Sequence, residues 1–173
     1  MASKAQFIIA LLFGLVAVLY QIEVDPGTWE ASERGNIYAS AEQIEQFITN
    51  PDLVEKWFQW VSIFKAADSR PISAGKKYQA IYKLPFLGEY VMLMRVVEYK
   101  HQKTLVLESQ SLLRPRFTIQ LEESSSNATR LIFKLRWQRT SALFQWSVGP
   151  FLCFLTSQQL QHSLFMLKMM FPF

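Results

Sequence analysis

The sequence predicts an α+β protein in which an antiparallel sheet is covered on one face by a long C-terminal helix, behind an N-terminal transmembrane helix. Three observations lead to this prediction. Residues 5–22 form an uncharged apolar run, residues 78–137 contain segments that alternate apolar with polar side chains, and residues 151–171 contain neither proline nor glycine. Alternation with a period of two is typical of strands with one buried and one solvated face. Such a sheet needs a cover on one side only.

Composition excludes several classes of protein and site. Half of the 173 residues are apolar and 18% are charged, a balance that argues against intrinsic disorder. The single cysteine, Cys153, excludes an internal disulfide and a multi-cysteine zinc or iron–sulfur site. With only His101 and His162 as further candidate metal ligands, we expect no metal site and no cofactor. A net charge of +4 is too small to predict nucleic-acid binding.

Residues 1–23 are predicted to be a membrane anchor. Ala5–Ile22 carries no charge and is 18 residues long, which just spans a hydrocarbon core of about 30 Å. A cleaved signal peptide is the main alternative, although no clear Ala-x-Ala cleavage site follows the apolar core. A buried core helix is the third interpretation.

The charges that flank this segment predict its orientation. Lys4 precedes it, whereas four acidic residues and one arginine, Arg34, follow it within a dozen positions. The positive-inside rule therefore mildly favours a cytosolic N-terminus and a luminal or extracytoplasmic domain. A glycosylation sequon at Asn127, in a segment predicted to be a polar loop (122–129), weakly supports the same orientation.

Residues 29–173 are predicted to form the domain, after a linker at 24–28. A first strand is expected at 29–38. Its inward face comprises Trp29, Ala31, Gly35 and Ile37. A capping box at Ser40 and Gln43 predicts a helix, which Asn50-Pro51 ends, and Asp52 is predicted to cap a second short helix.

Strands follow the two short helices, and the chain closes with a long helix. The strands are predicted at 78–84, 90–99, 104–109, 117–121 and 131–137, with turns at 85–88 and 100–103. Gly149-Pro150 precedes the final helix, which is predicted to run from Phe151 to Phe171. This helix is the predicted cover of the sheet.

Particular residues, together with this order of elements, carry a resemblance to a known superfamily. They are the strand-to-helix step Ile37–Ile44, the break Thr49–Leu53, and then Trp57 and Trp60. From Trp29 to its C-terminus the chain resembles the START-like superfamily, also called SRPBCC or Bet v 1-like, which includes polyketide cyclases and lipid-transport proteins. The resemblance implies the helix-grip fold, a curved antiparallel sheet wrapped on a long C-terminal helix. It also implies an apolar cavity between sheet and helix that often holds a lipid, sterol, quinone or polyketide.

The predicted ligand-binding residues come from both walls of that cavity. The sheet is expected to supply Tyr78, Tyr82, Met92, Met94, Phe117, Phe133 and Trp137, and the helix to supply Phe154, Gln158 and His162. Aromatic rings and flexible methionines are typical of an adaptable apolar pocket. Gln158 and His162 are candidates to hydrogen-bond a polar head group. The alternative is that the same side chains fill an ordinary core.

The C-terminal helix is predicted to be buried on two sides, because apolar residues occur all round it. At 100° per residue, Phe154, Gln158 and His162 share one side, which we expect to face the sheet. The other side needs a second partner. The bilayer, the N-terminal segment and another copy of the chain all fit.

Basic residues concentrate on alternate positions of late strands, among them Arg116, Arg130, Lys134 and Arg136. The simplest interpretation is a solvated sheet face, and the sharper one is attraction to anionic lipid head groups. Nucleic-acid binding is the weakest of the three interpretations of these basic residues, because no motif supports it.

Three functions follow as hypotheses. The first is membrane-anchored, non-catalytic binding or transfer of a lipid, sterol or isoprenoid quinone. The second is a cyclase-like enzyme in which Tyr82 and His162 polarise a hydrophobic substrate. The third is a partner-binding scaffold with a filled core. No Ser-His-Asp or Cys-His arrangement is visible in the sequence, so no catalytic residue is predicted.

Overall fold

An antiparallel sheet forms the centre of the structure, a computed structural model that describes residues 3–84, 88–125 and 127–172. Within these residues the strands are β1 (Ala31–Ile37), β2 (Val61–Ala66), β3 (Lys77–Leu84), β4 (Gly88–Lys100), β5 (Thr104–Ser109), β6 (Pro115–Ser125) and β7 (Ala128–Trp137). The helices are α1 (Lys4–Gln21), α2 (Ala41–Thr49), α3 (Val54–Trp57), α4 (Ala142–Ser147) and α5 (Gly149–Met170). The predicted α+β fold class and the apolar N-terminal helix are confirmed.

The strands follow the order β1-β7-β6-β5-β4-β3-β2, and all neighbours are antiparallel. Consecutive strands pair through short connections, except that β1 crosses to lie beside β7. Along β7 every second side chain is buried, as the alternating sequence predicts. β4 is apolar on both faces, and its outward Val91 and Leu93 are exposed. The sheet therefore has one covered face and one open face.

Local capping explains where the short helices begin and end. Ser40 and Gln43 form the predicted capping box at the start of α2. The second cap is Asn50 and not Asp52, because the Asn50 side chain accepts the backbone N–H of Asp52 and starts a 3-10 helix at Pro51–Leu53 that leads into α3. Amide side chains cap helices as well as carboxylates do.

Two other predictions need correction. Trp29 does not belong to β1, because Pro26–Trp29 forms a 3-10 helix whose start is capped by Asp25. The polar segment 122–129 is not one long loop, since β6 continues to Ser125 and β7 begins at Ala128. Helix α4 was not predicted. The predicted turn residues 85–87 lie outside the described residues.

Helix α5 covers β1 and the adjoining part of β7, and it runs in the same direction as β1. Gly149 at its start meets Trp29, Gln161 donates to Glu33 at 3.0 Å, and Leu164 contacts Gly35. Its C-terminal end reaches α2, where Phe171 packs edge-on against Phe47 with ring centroids 5.4 Å apart. The start of α5 therefore lies at the end of the sheet where the chain leaves α1.

Helix α1 is fastened to the domain by backbone hydrogen bonds. Ala142 N donates to Ile22 O and Val24 N donates to Thr140 O, both at 2.7 Å, on either side of a bridge between Glu23 and Ser141. No described residue of α1 is buried. The helix is long and apolar enough to span a membrane, and these bonds leave little freedom between it and α4.

The contact of α5 with Trp29 generates a testable prediction. A Cβ atom at Gly149 would lie 2.7 Å from Trp29 Cδ1, so we expect Gly149→Ala to lower the free energy of unfolding by about 1–3 kcal/mol. Gly14→Ala is the matched control, because nothing lies within 4 Å of the added Cβ there. Chemical denaturation of the full chain in detergent, followed by tryptophan fluorescence, measures both. Equal stability of the two variants would contradict the close packing.

Candidate functional site

The covered face of the sheet is divided between two helical covers. Helix α5 packs on β1, β7 and α3, while α2 and α3 lie over the remaining strands. Between α2–α3 and the sheet lies an apolar cavity of about 40 Å³. Its lining is Ile48, Thr49, Val54, Trp57, Phe58, Val61, Phe64, Ile72, Tyr78, Ala80, Tyr82, Met94, Leu105, Leu107, Phe117 and Ile119. We call this space the ring cavity.

Four aromatic rings form the wall between the ring cavity and α5. Trp57 stacks on Phe133, with ring planes 12° apart, and Phe58 and Phe117 complete a cycle. Each neighbouring pair of ring centroids is 5.5 Å apart. Such pairs contribute about 0.5–1.5 kcal/mol each beyond the burial of their area. This four-ring cycle fixes the position of α3 against β6 and β7.

The volume of the ring cavity limits what it holds in this conformation. At about 40 Å³ it has room for one or two water molecules. Pockets that enclose a drug-sized ligand measure about 300–1,000 Å³. A lipid-sized ligand therefore requires α2–α3 or the lining side chains to move outward.

Helix α3 is held against the sheet in a way that permits such movement. Within the described residues, its side chains make no hydrogen bond to the sheet, and the buried Nε1 of Trp57 has no partner. Its attachment therefore consists of ring and aliphatic contacts, and moving it breaks no directional bond. By contrast, α2 is tied to the turn between β4 and β5, where Glu45 pairs with His101 Nδ1 at 2.7 Å and accepts Gln102 N at 2.9 Å.

Tyr82 gives the ring cavity a polar group. The residue is 5% exposed, and its hydroxyl makes no hydrogen bond within the described part of the chain. Burial raises the pKa of Tyr82 well above its usual range, so the phenol stays protonated. It can donate a hydrogen bond to a ligand that enters.

Tyr78 stands at the other end of the ring cavity beside charged groups. Its ring stacks on Phe64 at a centroid distance of 4.8 Å, and Lys76 Nζ lies 5.6 Å from the ring centroid. Lys76 is buried and pairs with Asp68 at 3.1 Å. Burial first, and then the Asp68 charge, raise the pKa of Tyr78. This end of the ring cavity is therefore closed by an ion pair beneath aromatic rings.

The predicted sheet residues are all buried on the covered face, but they divide into two groups. Tyr78, Tyr82, Met94 and Phe117 line the ring cavity. Met92, Phe133 and Trp137 lie in the core beside it, and Trp137 Nε1 donates to Thr156 on α5 at 3.3 Å. Alternation thus identified the correct face of the sheet. That any of these residues contacts a ligand stays a prediction.

The predicted facing of α5 is wrong. Phe154 is 62% exposed, Gln158 is exposed, and His162 is half-buried with no hydrogen-bond partner for its Nε2 within the described residues. The residues of α5 that are buried are Gly149, Leu152, Thr156, Gln159, Leu160, Ser163, Leu164 and Leu167. Leu164 lies against β1 at Gly35, where the helix and the strand approach closely. No α5 residue lines the ring cavity.

The side chains that α2, α3 and the residue after α3 contribute to the cavity lining were not predicted from the sequence. Ile48, Val54, Trp57 and Phe58 line the ring cavity, and their helical spacing was visible. That spacing indicates a buried face without indicating what it faces. Only the pairing of β2 with β3 brings α3 over the sheet.

Other chemical groups do not converge on the ring cavity. His101 pairs with Glu45 and lies 3.3 Å from Tyr99 Oη. Burial raises the pKa of the Cys153 thiol, with a smaller opposite effect of Ser157. Among the described residues no group of His, Cys, Asp and Glu side chains is placed to hold a metal ion.

Comparisons with known proteins identify the fold. No protein-family model and no curated protein matches the chain. A START superfamily protein from Mycobacterium smegmatis aligns with a TM-score of 0.65 and 15% identity, over 82% of this chain and 96% of that one. A Thermus thermophilus protein aligns with a TM-score of 0.65 and 13% identity, over 80% of this chain and 94% of that one. A Rhodobacter sphaeroides protein aligns with a TM-score of 0.60 and 16% identity, over 87% of this chain and 97% of that one. The helix-grip, START-like fold is confirmed.

The unpaired hydroxyl in the ring cavity yields a prediction with a matched control. We do not expect Tyr82→Phe to lower the free energy of unfolding, because the Tyr82 hydroxyl makes no hydrogen bond to a described residue. Tyr90→Phe should lower it by about 0.5–1.5 kcal/mol, because Tyr90 Oη accepts Leu112 N at 3.0 Å. Denaturant titration of delipidated protein measures both. A loss of stability in Tyr82→Phe would show that the hydroxyl has a partner.

Proposed function

We propose that this protein binds a hydrophobic small molecule, such as a lipid, sterol or isoprenoid quinone, in an enlarged form of the ring cavity while α1 anchors it in a membrane. The observation that carries the proposal is an apolar cavity with one unpaired phenol, in a domain fastened directly to an apolar helix. An apolar lining with few polar groups is typical of small-molecule sites. The Tyr82 hydroxyl supplies the group that would orient a ligand's polar head.

Binding requires the ring cavity to grow, and its walls suit that change. Met94 is flexible, and the rings of Phe58 and Tyr82 meet edge-on at 5.8 Å. Outward movement of α3 replaces ring packing within the protein by packing against the ligand. The binding free energy of the ligand then compensates for the separation of these rings.

Binding without catalysis fits the groups that surround the ring cavity. Tyr82 stays protonated, and His162, which a cyclase-like reaction would pair with it, lies on α5 outside the lining. A general base must lie within hydrogen-bond reach of the proton that it abstracts. The proposal is therefore a carrier or presenter of its ligand rather than an enzyme.

The proposal includes docking of the α4–α5 corner on the bilayer surface. This corner comprises Trp146, Val148, Phe151 and Phe154, all exposed apolar side chains that follow the hydrogen bonds joining α4 to the end of α1. Aromatic side chains are favoured at the membrane–water interface. The corner offers a second membrane contact beside α1, and the bilayer is then the second partner of α5. A homo-oligomer through the same face is the competing occupant.

The proposed orientation places the N-terminus in the cytosol and the domain on the luminal or extracytoplasmic side. Asn127 is exposed in the turn between β6 and β7. The ten residues of β7 separate this turn from the fastened end, a distance of about 33 Å. The sequon therefore lies far from the bilayer surface in this arrangement.

Docking of the corner is tested with an environment-sensitive fluorophore on single cysteines in a Cys153→Ser background. Full-length chains carrying Phe13→Cys, Trp146→Cys or Asn127→Cys are labelled and reconstituted in vesicles with brominated acyl chains. We expect quenching at positions 13 and 146 and none at 127. Quenching at 13 alone would refute docking of the corner, and no quenching at 13 would refute the anchor. Crosslinking between copies at 146 without quenching would identify a dimer interface instead.

Ligand binding is tested by mass spectrometry of organic extracts from the full chain purified from membranes. We expect a defined hydrophobic compound near one per protein in the wild type. Ala80→Val should reduce it strongly, because Ala80 lines the ring cavity. Met92→Leu, at the position paired with Ala80 on β4, should retain it, because Met92 is buried outside the lining. A stable wild type without extractable ligand would favour the scaffold with a filled core.

A further inference from the structure

A cleft on the open face of the sheet gathers basic side chains. Glu30, Arg116, Thr118, Lys134 and Arg136 line it, and its volume is about 180 Å³. The register of β6 and β7 places Arg116 directly opposite Arg136 and Thr118 opposite Lys134. Like charges directly opposite each other on a sheet destabilise it. The arrangement therefore calls for negative charge near both arginines.

The described residues neutralise only one of the two arginines. Arg116 Nη1 pairs with Glu108 at 2.5 Å, and Glu108 also accepts Gln138 Nε2 at 3.0 Å. Arg136 and Lys134 form no ion pair within the described residues, and the buried Nε of Arg136 has no hydrogen-bond partner. Glu30 lines the same cleft without pairing with either. A cationic group that is partly buried and unpaired is costly unless an anion joins it.

We propose that this cleft binds the phosphate group of an anionic ligand, with Arg136 as its principal contact and Lys134 and Thr118 beside it. The guanidinium fork matches phosphate oxygens in a bidentate geometry, and its hydrogen bonds to an anion are charge-assisted. A phosphate between Lys134 and Arg136 also relieves the repulsion between Arg136 and Arg116. The hydroxyl of Thr118 completes a set of donors of the kind that phosphate accepts from.

The position of the cleft suggests where such a phosphate comes from. Arg136 lies four residues before Thr140, which accepts the hydrogen bond of Val24 just beyond α1. Four extended residues span about 13 Å, so the cleft opens near the depth of lipid head groups when α1 spans a bilayer. That step rests on the membrane anchoring proposed above. The same chemistry serves a soluble phosphate compound, and the experiment separates the two sources.

The test uses the full chain in nanodiscs of digalactosyldiacylglycerol, a lipid without phosphate, titrated with inorganic phosphate by calorimetry. We expect the wild type to bind phosphate, Arg136→Gln to bind about tenfold or more weakly, and Arg136→Lys to lie between them. Glu30→Gln should bind more tightly, because it removes a competing carboxylate. Arg95→Gln is the control and should match the wild type. Arg95 lies in β4, on the same open face of the sheet as the cleft, but it does not line the cleft.

The lipid source is tested by adding phosphatidic acid to the nanodiscs. If the head group occupies the cleft, added phosphate no longer binds to the wild type. If phosphate still binds there and Arg136→Gln still weakens it, the cleft takes a soluble phosphate compound. Equal phosphate binding by the wild type and Arg136→Gln, or none by either, overturns the proposal. The same titration in detergent depends neither on the ring cavity nor on membrane insertion, so its failure is distinguishable from failure of the proposed function.

Discussion

The stack of Trp57 on Phe133 is the contact on which the arrangement of the domain depends. It joins α3 to β7 and closes the four-ring cycle with Phe58 and Phe117. On one side of the cycle α5 packs closely on β1, down to the contact of Leu164 with Gly35. On the other side α2 and α3 cover the remaining strands less completely, and the ring cavity remains between them. One curved sheet with a single covered face thus has a tightly packed half and a half that retains a cavity.

The fastening of α1 links this packing to the apolar N-terminal helix. A linker of freely jointed residues would let the domain adopt any orientation, but the hydrogen bonds of Ile22 and Val24 with the α4 segment hold it in one. The same end of the domain carries the exposed Trp146 and the start of α5, and the basic cleft around Arg136 lies close to it along β7. The proposed bilayer contact and phosphate contact are therefore parts of one geometry rather than independent features.

Local chemistry predicted much of this fold, whereas tertiary packing decided what the sequence could not. Alternation in β7 identified the buried face of the sheet, and the capping box at Ser40 identified the start of α2. The face of α5 was predicted incorrectly because the helix is apolar all round. The close approach of Leu164 to β1 depends on Gly35, more than a hundred residues away in the chain. The walls that α2 and α3 contribute were missed for the same reason, since helical spacing shows a buried side but not its partner.

The central claim is that the ring cavity opens to admit a hydrophobic ligand, and hydrogen–deuterium exchange tests it most directly. The full chain is compared in detergent, as purified from membranes and after delipidation. The account predicts that amides of residues 45–58, across α2 and α3, exchange markedly faster after delipidation, while those of β6 and β7 keep the same protection. Identical exchange of residues 45–58 in both states would contradict it and would mean that this half of the domain is a permanently filled core.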